Sequence, residues 1–180
     1  MLLEIRLRGR GGQGIVTASE MLVDAAVEEG HYGQAIPAFG AERRGAPVTA
    51  SARVSDSPIR RHSRVYSPDI VGVFERQLAG DPETLVGIKG GGILLVNGRS
   101  APDVPGVRCA AVDATAIAVE NGLVVAGWAV VNTAMLGAIS KASGMVGRAT
   151  LEKVVRKRWR GELGERNVRA ALAAYEVTVQ

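Results

Sequence analysis

Gly9-Arg10-Gly11-Gly12-Gln13-Gly14 joins two segments of different period. Before it, Leu2-Leu3-Glu4-Ile5-Arg6-Leu7-Arg8 alternates apolar and polar residues, the pattern of a strand. After it, Ile15, Ala18, Met21, Leu22, Ala25 and Ala26 fall on one face of a helix expected from Ile15 to Glu28. Strand, glycine-rich turn and helix is the context in which the G-x-G-x-x-G spacing acquires a physical meaning. Glycine permits a tight turn and close approach of the backbone to a ligand. The first N–H groups of the helix have no acceptor within it and lie at the positive end of its dipole. That end favours an anion such as a pyrophosphate. The alternative is a tight strand-to-helix connection with no ligand, although the four glycines exceed what a turn needs.

A dinucleotide fold makes a further demand. An acidic residue about 20 positions on, at the end of the second strand, should hold a ribose. Here the second strand is expected over His31-Tyr32-Gly33-Gln34-Ala35-Ile36, followed by Pro37-Ala38-Phe39-Gly40. The next acid, Glu42, comes late and is followed by Arg43-Arg44. Guanidinium forks match phosphate oxygens better than a ribose hydroxyl. The stretch therefore reads as an anion pocket without the usual NAD signature.

The chain has 180 residues, enough for one domain with a substantial core. Hydrophobic residues make up 47% and aromatic residues only 4%, so the core is built from Ala, Val, Leu and Ile. That composition suits helices packed on a parallel sheet. The net charge of +4 is compatible with an anionic ligand or an acidic partner. The single cysteine, Cys109, excludes an internal disulfide and any cysteine cluster for zinc or iron–sulfur. His31 and His62 lack companions at ligand spacing, so no metal site is expected. Met1-Leu2-Leu3-Glu4 lacks the basic and apolar regions of a signal peptide. Gly122 to Gly137 is apolar but interrupted by Asn132 and Thr133, too short for a membrane span. The expectation is a cytoplasmic protein with no membrane and no nucleic-acid partner.

Further strands are expected over Val48–Val54, Asp69–Phe74, Gly92–Asn97 and Val107–Val112. Asp81-Pro82-Glu83 starts a short helix, with Pro82 at its first position. Asp113 can cap a helix over Ala114–Asn121. Val130–Ser143, Thr150–Trp159 and Glu165–Tyr175 read as helices, with Val177-Thr178-Val179 as a terminal extension. The alternation of strand and helix predicts an α/β fold. We expect one Rossmann-like domain over residues 1–180, with a largely parallel central sheet flanked by helices.

Two segments together carry a family likeness. Gly9-Arg10-Gly11-Gly12-Gln13-Gly14 and Phe39-Gly40-Ala41-Glu42-Arg43-Arg44-Gly45-Ala46-Pro47-Val48 resemble the gamma component of 2-oxoacid:ferredoxin oxidoreductases. Ser57-Pro58-Ile59-Arg60, Pro68-Asp69 and Val131-Asn132-Thr133-Ala134-Met135-Leu136-Gly137-Ala138 extend the likeness along nearly the whole chain. The Glu-Arg-Arg-Gly-Ala-Pro form and Arg10 resemble the pyruvate and ketoisovalerate branch. The resemblance implies a multisubunit enzyme that oxidatively decarboxylates a 2-oxoacid and passes the acyl group to coenzyme A. It implies thiamine diphosphate between alpha and beta subunits, and [4Fe-4S] clusters in beta and a ferredoxin-like delta subunit. The downstream electron acceptor would be a ferredoxin or an NAD-reducing subunit. The gamma component helps to bind coenzyme A. By this resemblance the cofactor-binding candidates are Gly9, Gly11, Gly12, Gln13, Gly14, Arg43, Arg44 and Asn132, with no catalytic residue and no metal.

Each candidate has a plainer reading. Arg43 and Arg44 can serve a subunit interface, and Glu42 can pair with an arginine. Gln13 can donate to a phosphate or fix the loop. Asn132 can contact coenzyme A, cap its helix or join a buried network. Lys153, Arg156, Lys157, Arg158 and Arg160 alternate with Val154, Val155 and Trp159 as an amphipathic helix does. Two other functions compete with the enzyme subunit: a free-standing NAD- or flavin-binding protein, and a non-catalytic assembly subunit.

Overall fold

The computed structural model of the chain describes residues 1–38 and 45–178. Its elements run β1 (Leu2–Arg10), α1 (Ile15–Glu28), β2 (Tyr32–Pro37), β3 (Pro47–Ser55), β4 (Ile70–Val73), α2 (Pro82–Leu85), β5 (Ile93–Asn97) and β6 (Arg108–Val112). Then follow α3 (Ala114–Glu120), a hairpin of β7 (Val124–Val125) and β8 (Trp128–Ala129), α4 (Asn132–Ser143), α5 (Arg148–Arg158) and α6 (Gly161–Val177). The six-stranded sheet has the order β2-β3-β1-β4-β5-β6. β1, β4, β5 and β6 pair in parallel, and β3 runs antiparallel between β1 and β2. The largely parallel α/β architecture is therefore the one expected. The inserted β3 explains the missing NAD signature. In a dinucleotide fold the second strand lies beside the first, whereas here β3 separates β2 from β1.

One face of the sheet is apolar. Ile5 and Leu7 of β1 and Ala50, Ala52 and Val54 of β3 form one core with α1, α4 and α6. On the opposite face, Val71 and Val73 of β4 and Leu94 and Val96 of β5 pack with Leu78. The rest of that second face is polar yet buried. The polar side of β1 carries Glu4, Arg6 and Arg8, all under 9% exposed, beside Arg53 at 1%. Arg53 Nε donates to Glu4 Oε1 at 2.8 Å, and its other nitrogens donate to Gln34 Oε1 and to the carbonyls of Arg61 and Arg64. Arg6 donates to the carbonyls of Val86, Val65 and Tyr66. Burial, and then the neighbouring Arg8 charge, lower the Arg6 guanidinium from its ordinary value. Arg8 donates to Asp81 Oδ2 at 2.8 Å, while Asp81 Oδ1 caps α2. Buried donors thus hold the loop over residues 61–66 and α2 against the sheet.

Some boundaries differ from expectation. α6 is longer than Glu165–Tyr175 and takes in Val177, so the terminal extension begins as helix. α4 begins at Asn132, two residues later than expected, because Val130 N–H donates to Leu123 O at the base of the β7–β8 hairpin. Among the described residues, no helix is long and apolar enough to cross a membrane. α5 is amphipathic, with Leu151, Val154 and Val155 buried. Its basic face is spent inside the chain: Lys153 and Lys157 pair with Glu28, Arg156 with Glu152 and Glu165, and Arg158 with Glu20.

The junction of α1 with α5 titrates. A hydrogen bond from Lys153, then its charge, holds the Glu28 carboxyl below its ordinary value. The backbone N–H of Gly147 and the Thr150 hydroxyl do the same for Glu29. A carboxylate whose value is depressed by folding stabilises above its unfolded value, roughly 4.3. That contribution disappears as pH falls through the folded value. Melting temperature should therefore drop as the solution is acidified below about pH 4, and the drop should be shallower in the Glu28→Gln, Glu29→Gln variant. An identical acid limb in that variant would show that these contacts contribute nothing.

Candidate functional site

The glycine segment leaves the carboxyl end of β1 and enters α1, beside the point where the strand order switches sides: β2 and β3 lie to one side of β1, and the parallel strands β4, β5 and β6 to the other. In open α/β sheets, ligands settle outside the carboxyl ends of the strands at such a switch point. Each glycine has a distinct task. A Cβ at Gly9 would lie 2.6 Å from Ile15 Cδ1 and 2.9 Å from Phe74 Cβ, so Gly9 allows β1, α1 and the end of β4 to close together. Gly11 continues the β1–β3 pairing: its N–H donates to Ala46 O, and its carbonyl accepts from Gly45 N–H. Gly12 (φ 100) and Gly14 (φ 75) occupy the left-handed region that other residues rarely adopt. Gly14 is the N-cap of α1, and no side chain caps that end. Among the described residues, the N–H groups of Gly12, Gly14 and Ile15 have no acceptor.

Gln13 fixes the loop. Its Oε1 accepts from Arg10 N–H at 2.8 Å, and its Nε2 donates to Glu75 Oε2 at 3.2 Å. Asn132, the first residue of α4, is buried, and its Oδ1 accepts from Thr133 N–H. A Cβ on Gly14 would meet its Nδ2 at 2.7 Å, so α4 starts directly against the loop. Arg10 donates to Gly45 O and Gln77 Oε1 from an exposed position. Arg43, Arg44 and Glu42 lie outside the described residues.

Two clefts flank Gln13. The first, about 420 Å³, is lined by Gln13, Glu75, Arg76, Asn97, Gly98, Arg99, Asp113 and Thr115. Asn97 closes its floor by donating to Phe74 O and accepting from Thr115 N–H. Its two carboxylates, Glu75 and Asp113, are matched by Arg76 and Arg99, and Arg99 pairs with Asp113 at 3.1 Å, so this side carries no net charge. The second cleft, about 270 Å³, is lined by Arg10, Gly11, Gly12, Gln13 and Gly45 on one wall. Val125, Trp128, Ala129 and Val130 form its other wall. Its charged side chain is a guanidinium, so the second cleft is the one that suits an anion. The β7–β8 hairpin that supplies its apolar wall was not legible in the sequence, where it merged into the apolar run from Gly122 to Gly137. Among the described residues, no group of His, Cys, Asp and Glu could hold a metal ion. Cys109 is half-buried on β6, away from both clefts.

Residues 4–177 match the family model described as pyruvate ferredoxin/flavodoxin oxidoreductase. The chain belongs to this family. It is 44% identical to the common gamma subunit of the pyruvate/ketoisovalerate oxidoreductases of Thermococcus kodakarensis, over 99% of this chain and 98% of that one. It is 44% identical to pyruvate synthase subunit PorC of Methanothermobacter marburgensis, over 97% of each chain. The crystal structure of the PORC subunit of pyruvate oxidoreductase from Thermotoga maritima superimposes with a TM-score of 0.81 at 36% identity, covering 97% of this chain and 96% of that one. The fold also recurs in a 2-oxoglutarate:ferredoxin oxidoreductase from Magnetococcus marinus, solved with 2-oxoglutarate, coenzyme A and succinyl-CoA. There the TM-score is 0.80 at 21% identity, over 99% of this chain and 32% of that one. This family member is thus a gamma-type subunit of a multisubunit oxidoreductase.

Proposed function

We propose that this gamma subunit binds coenzyme A for a 2-oxoacid oxidoreductase of the pyruvate/ketoisovalerate type. The observation that carries the reading is the cleft of about 270 Å³, which brings Arg10 and Gly12, whose N–H has no acceptor among the described residues, together with an apolar wall. Pockets that enclose a small molecule are typically about 300–1,000 Å³. A cleft slightly below that range fits one part of a ligand as long as coenzyme A, whose remainder reaches other subunits. Its phosphates match the donors, and its apolar arm or base matches the opposite wall. The bound structure in the 2-oxoglutarate enzyme is consistent with coenzyme A as a ligand of this fold. A free-standing NAD or flavin protein fits less well, because β3 occupies the place beside β1 from which a ribose acid would come.

The residues of this chain do not fit an iron–sulfur cluster, since it has a single cysteine. On our reading, thiamine diphosphate is held by alpha and beta subunits, and the [4Fe-4S] clusters by beta and a ferredoxin-like delta subunit. Together they supply the electron sink for decarboxylation and the one-electron carriers for its oxidation. The part played by this chain is to neutralise and orient coenzyme A, so that its thiol reaches the acyl group. A fixed loop serves that task, because orientation lowers the barrier only when geometry is held. Gln13 and Asn132 act as loop supports; Gly12, which lines the cleft, presents its N–H group. The complex works in the cytoplasm and passes its electrons to a ferredoxin or an NAD-reducing subunit.

Arg43 and Arg44 follow β2 in sequence and precede Gly45, which lines the cleft. Replacing both with alanine in the assembled complex should raise the KM for coenzyme A about ten-fold or more, since each lost charge-assisted contact costs roughly 1.5–3 kcal/mol. Cluster reduction by the oxoacid in the absence of coenzyme A should change little. An unchanged KM in an intact complex would make the arginines interface residues and favour the assembly-subunit reading.

A further inference from the structure

The geometry points to Trp128 as the platform on which the adenine ring of coenzyme A stacks, an inference that rests on the coenzyme A reading above. Trp128 and Val125 face each other across the hairpin and line the same wall of the cleft. Residues directly opposite in an antiparallel pair project to the same side. Both are largely exposed, Trp128 at 67% and Val125 at 61%, so the chain itself covers neither. The two residues between them, Ala126 (φ 51) and Gly127 (φ 82), both have positive φ, as the tightest hairpin turns require. Ala126 is the one non-glycine residue with positive φ among the described residues. Such strain persists where surrounding structure enforces it, and it clusters at ligand clamps. The turn sets the indole at a defined place across from Arg10, Gly11 and Gly12. A ligand spanning the cleft must be anionic at one end and flat or apolar at the other. Coenzyme A has such a pairing in its adenosine phosphates, and every base offers a π face to an indole.

The test uses the assembled complex. Trp128→Ala should raise the KM for coenzyme A about ten-fold with kcat nearly unchanged, and Trp128→Phe should restore most of the affinity. Adenosine 3′,5′-bisphosphate, which carries the base and phosphates without the thiol arm, should compete with coenzyme A. Its inhibition constant should rise in Trp128→Ala by a similar factor. Three results would overturn the platform. One is an unchanged KM in Trp128→Ala. Another is a raised KM with unaltered inhibition by the bisphosphate, which would place the apolar arm on the indole. The third is loss of another subunit from the complex at normal KM, which would make the hairpin an interface element. If Trp128→Ala is silent while the Arg43, Arg44 variant raises the KM, the platform alone fails. If both are silent, the coenzyme A reading fails with it.

Discussion

Glu4→Ala is expected to destabilise the chain by about 3–5 kcal/mol, the cost of stranding one partner of a buried ion pair. Arg53 is 1% exposed, and Glu4 Oε1 is the carboxylate oxygen that accepts from it, at 2.8 Å. Its remaining acceptors are neutral: Gln34 Oε1 and the carbonyls of Arg61 and Arg64. Removing the carboxylate leaves a guanidinium in the protein with no countercharge and little water. Glu4→Gln, which keeps an acceptor oxygen, should cost less. A double replacement, Glu4→Leu with Arg53→Met, should recover much of the loss, since apolar residues of similar volume often replace a buried pair without penalty. The loop over residues 61–66 would still loosen, because Arg53 donates two of the bonds that hold it down. Denaturant unfolding of the three variants decides the matter. A loss under about 1 kcal/mol in Glu4→Ala, the scale of an exposed pair, would mean that water reaches Arg53.

Those same residues mark where the sequence ceased to be legible. Helix α1 runs from Ile15 to Glu28 as its apolar stripe requires, and the glycines at Gly14 and Gly30 punctuate it. α2 starts at Pro82 and Asp113 caps α3 as expected, because a helix start is set by near neighbours in the chain. β1 was legible as a strand from its alternation. That alternation shows that Glu4, Arg6 and Arg8 share a face, but not what covers the face. The cover comes from the loop over residues 61–66 and from α2, tens of residues away, which no local period reveals. β3 was likewise legible as a strand, but its place between β1 and β2 depends on pairings that alternation cannot specify. In the candidate site, the glycine turn between β1 and α1 was readable from the sequence, and it lies at a cleft. The opposing wall was not readable, because Val124 to Ala129 forms a hairpin whose first turn residue, Ala126, is an alanine of positive φ, which leaves Gly127 as the one turn signal in an apolar run. Gln13 left two roles open in the sequence, and its bonds to Arg10 and Glu75 make it a support for the loop.

Gly137→Ala should destabilise the chain by about 3 kcal/mol, the upper part of the usual range for overpacking. It would do so against the intrinsic preference of a helix, where alanine is better than glycine by about 1 kcal/mol. The sign follows from contact. A Cβ at Gly137 would lie 2.0 Å from Ala171 O and 2.8 Å from its carbonyl carbon, both backbone atoms of α6. A backbone cannot swing aside as a flexible side chain can, so α4 and α6 must separate. Ala134, Ala138, Ala170, Ala171 and Ala174 are all fully buried in the same core, and the separation would loosen their packing too. It would also strain the buried bond from Thr133 Oγ1 to Asn167 Oδ1, at 3.0 Å. The first residue of α4, Asn132, packs on Gly14, so the shift reaches the glycine loop. In an assembled complex, the expected outcome is a lower melting temperature together with a raised KM for coenzyme A. Oxoacid-driven cluster reduction without coenzyme A should survive. Gly80→Ala is the control: a Cβ there meets nothing within 4 Å, and stability should barely change. A Gly137→Ala variant as stable as the native chain would mean that α4 can move off α6 freely, and α4 could not then be what holds Asn132 against the loop.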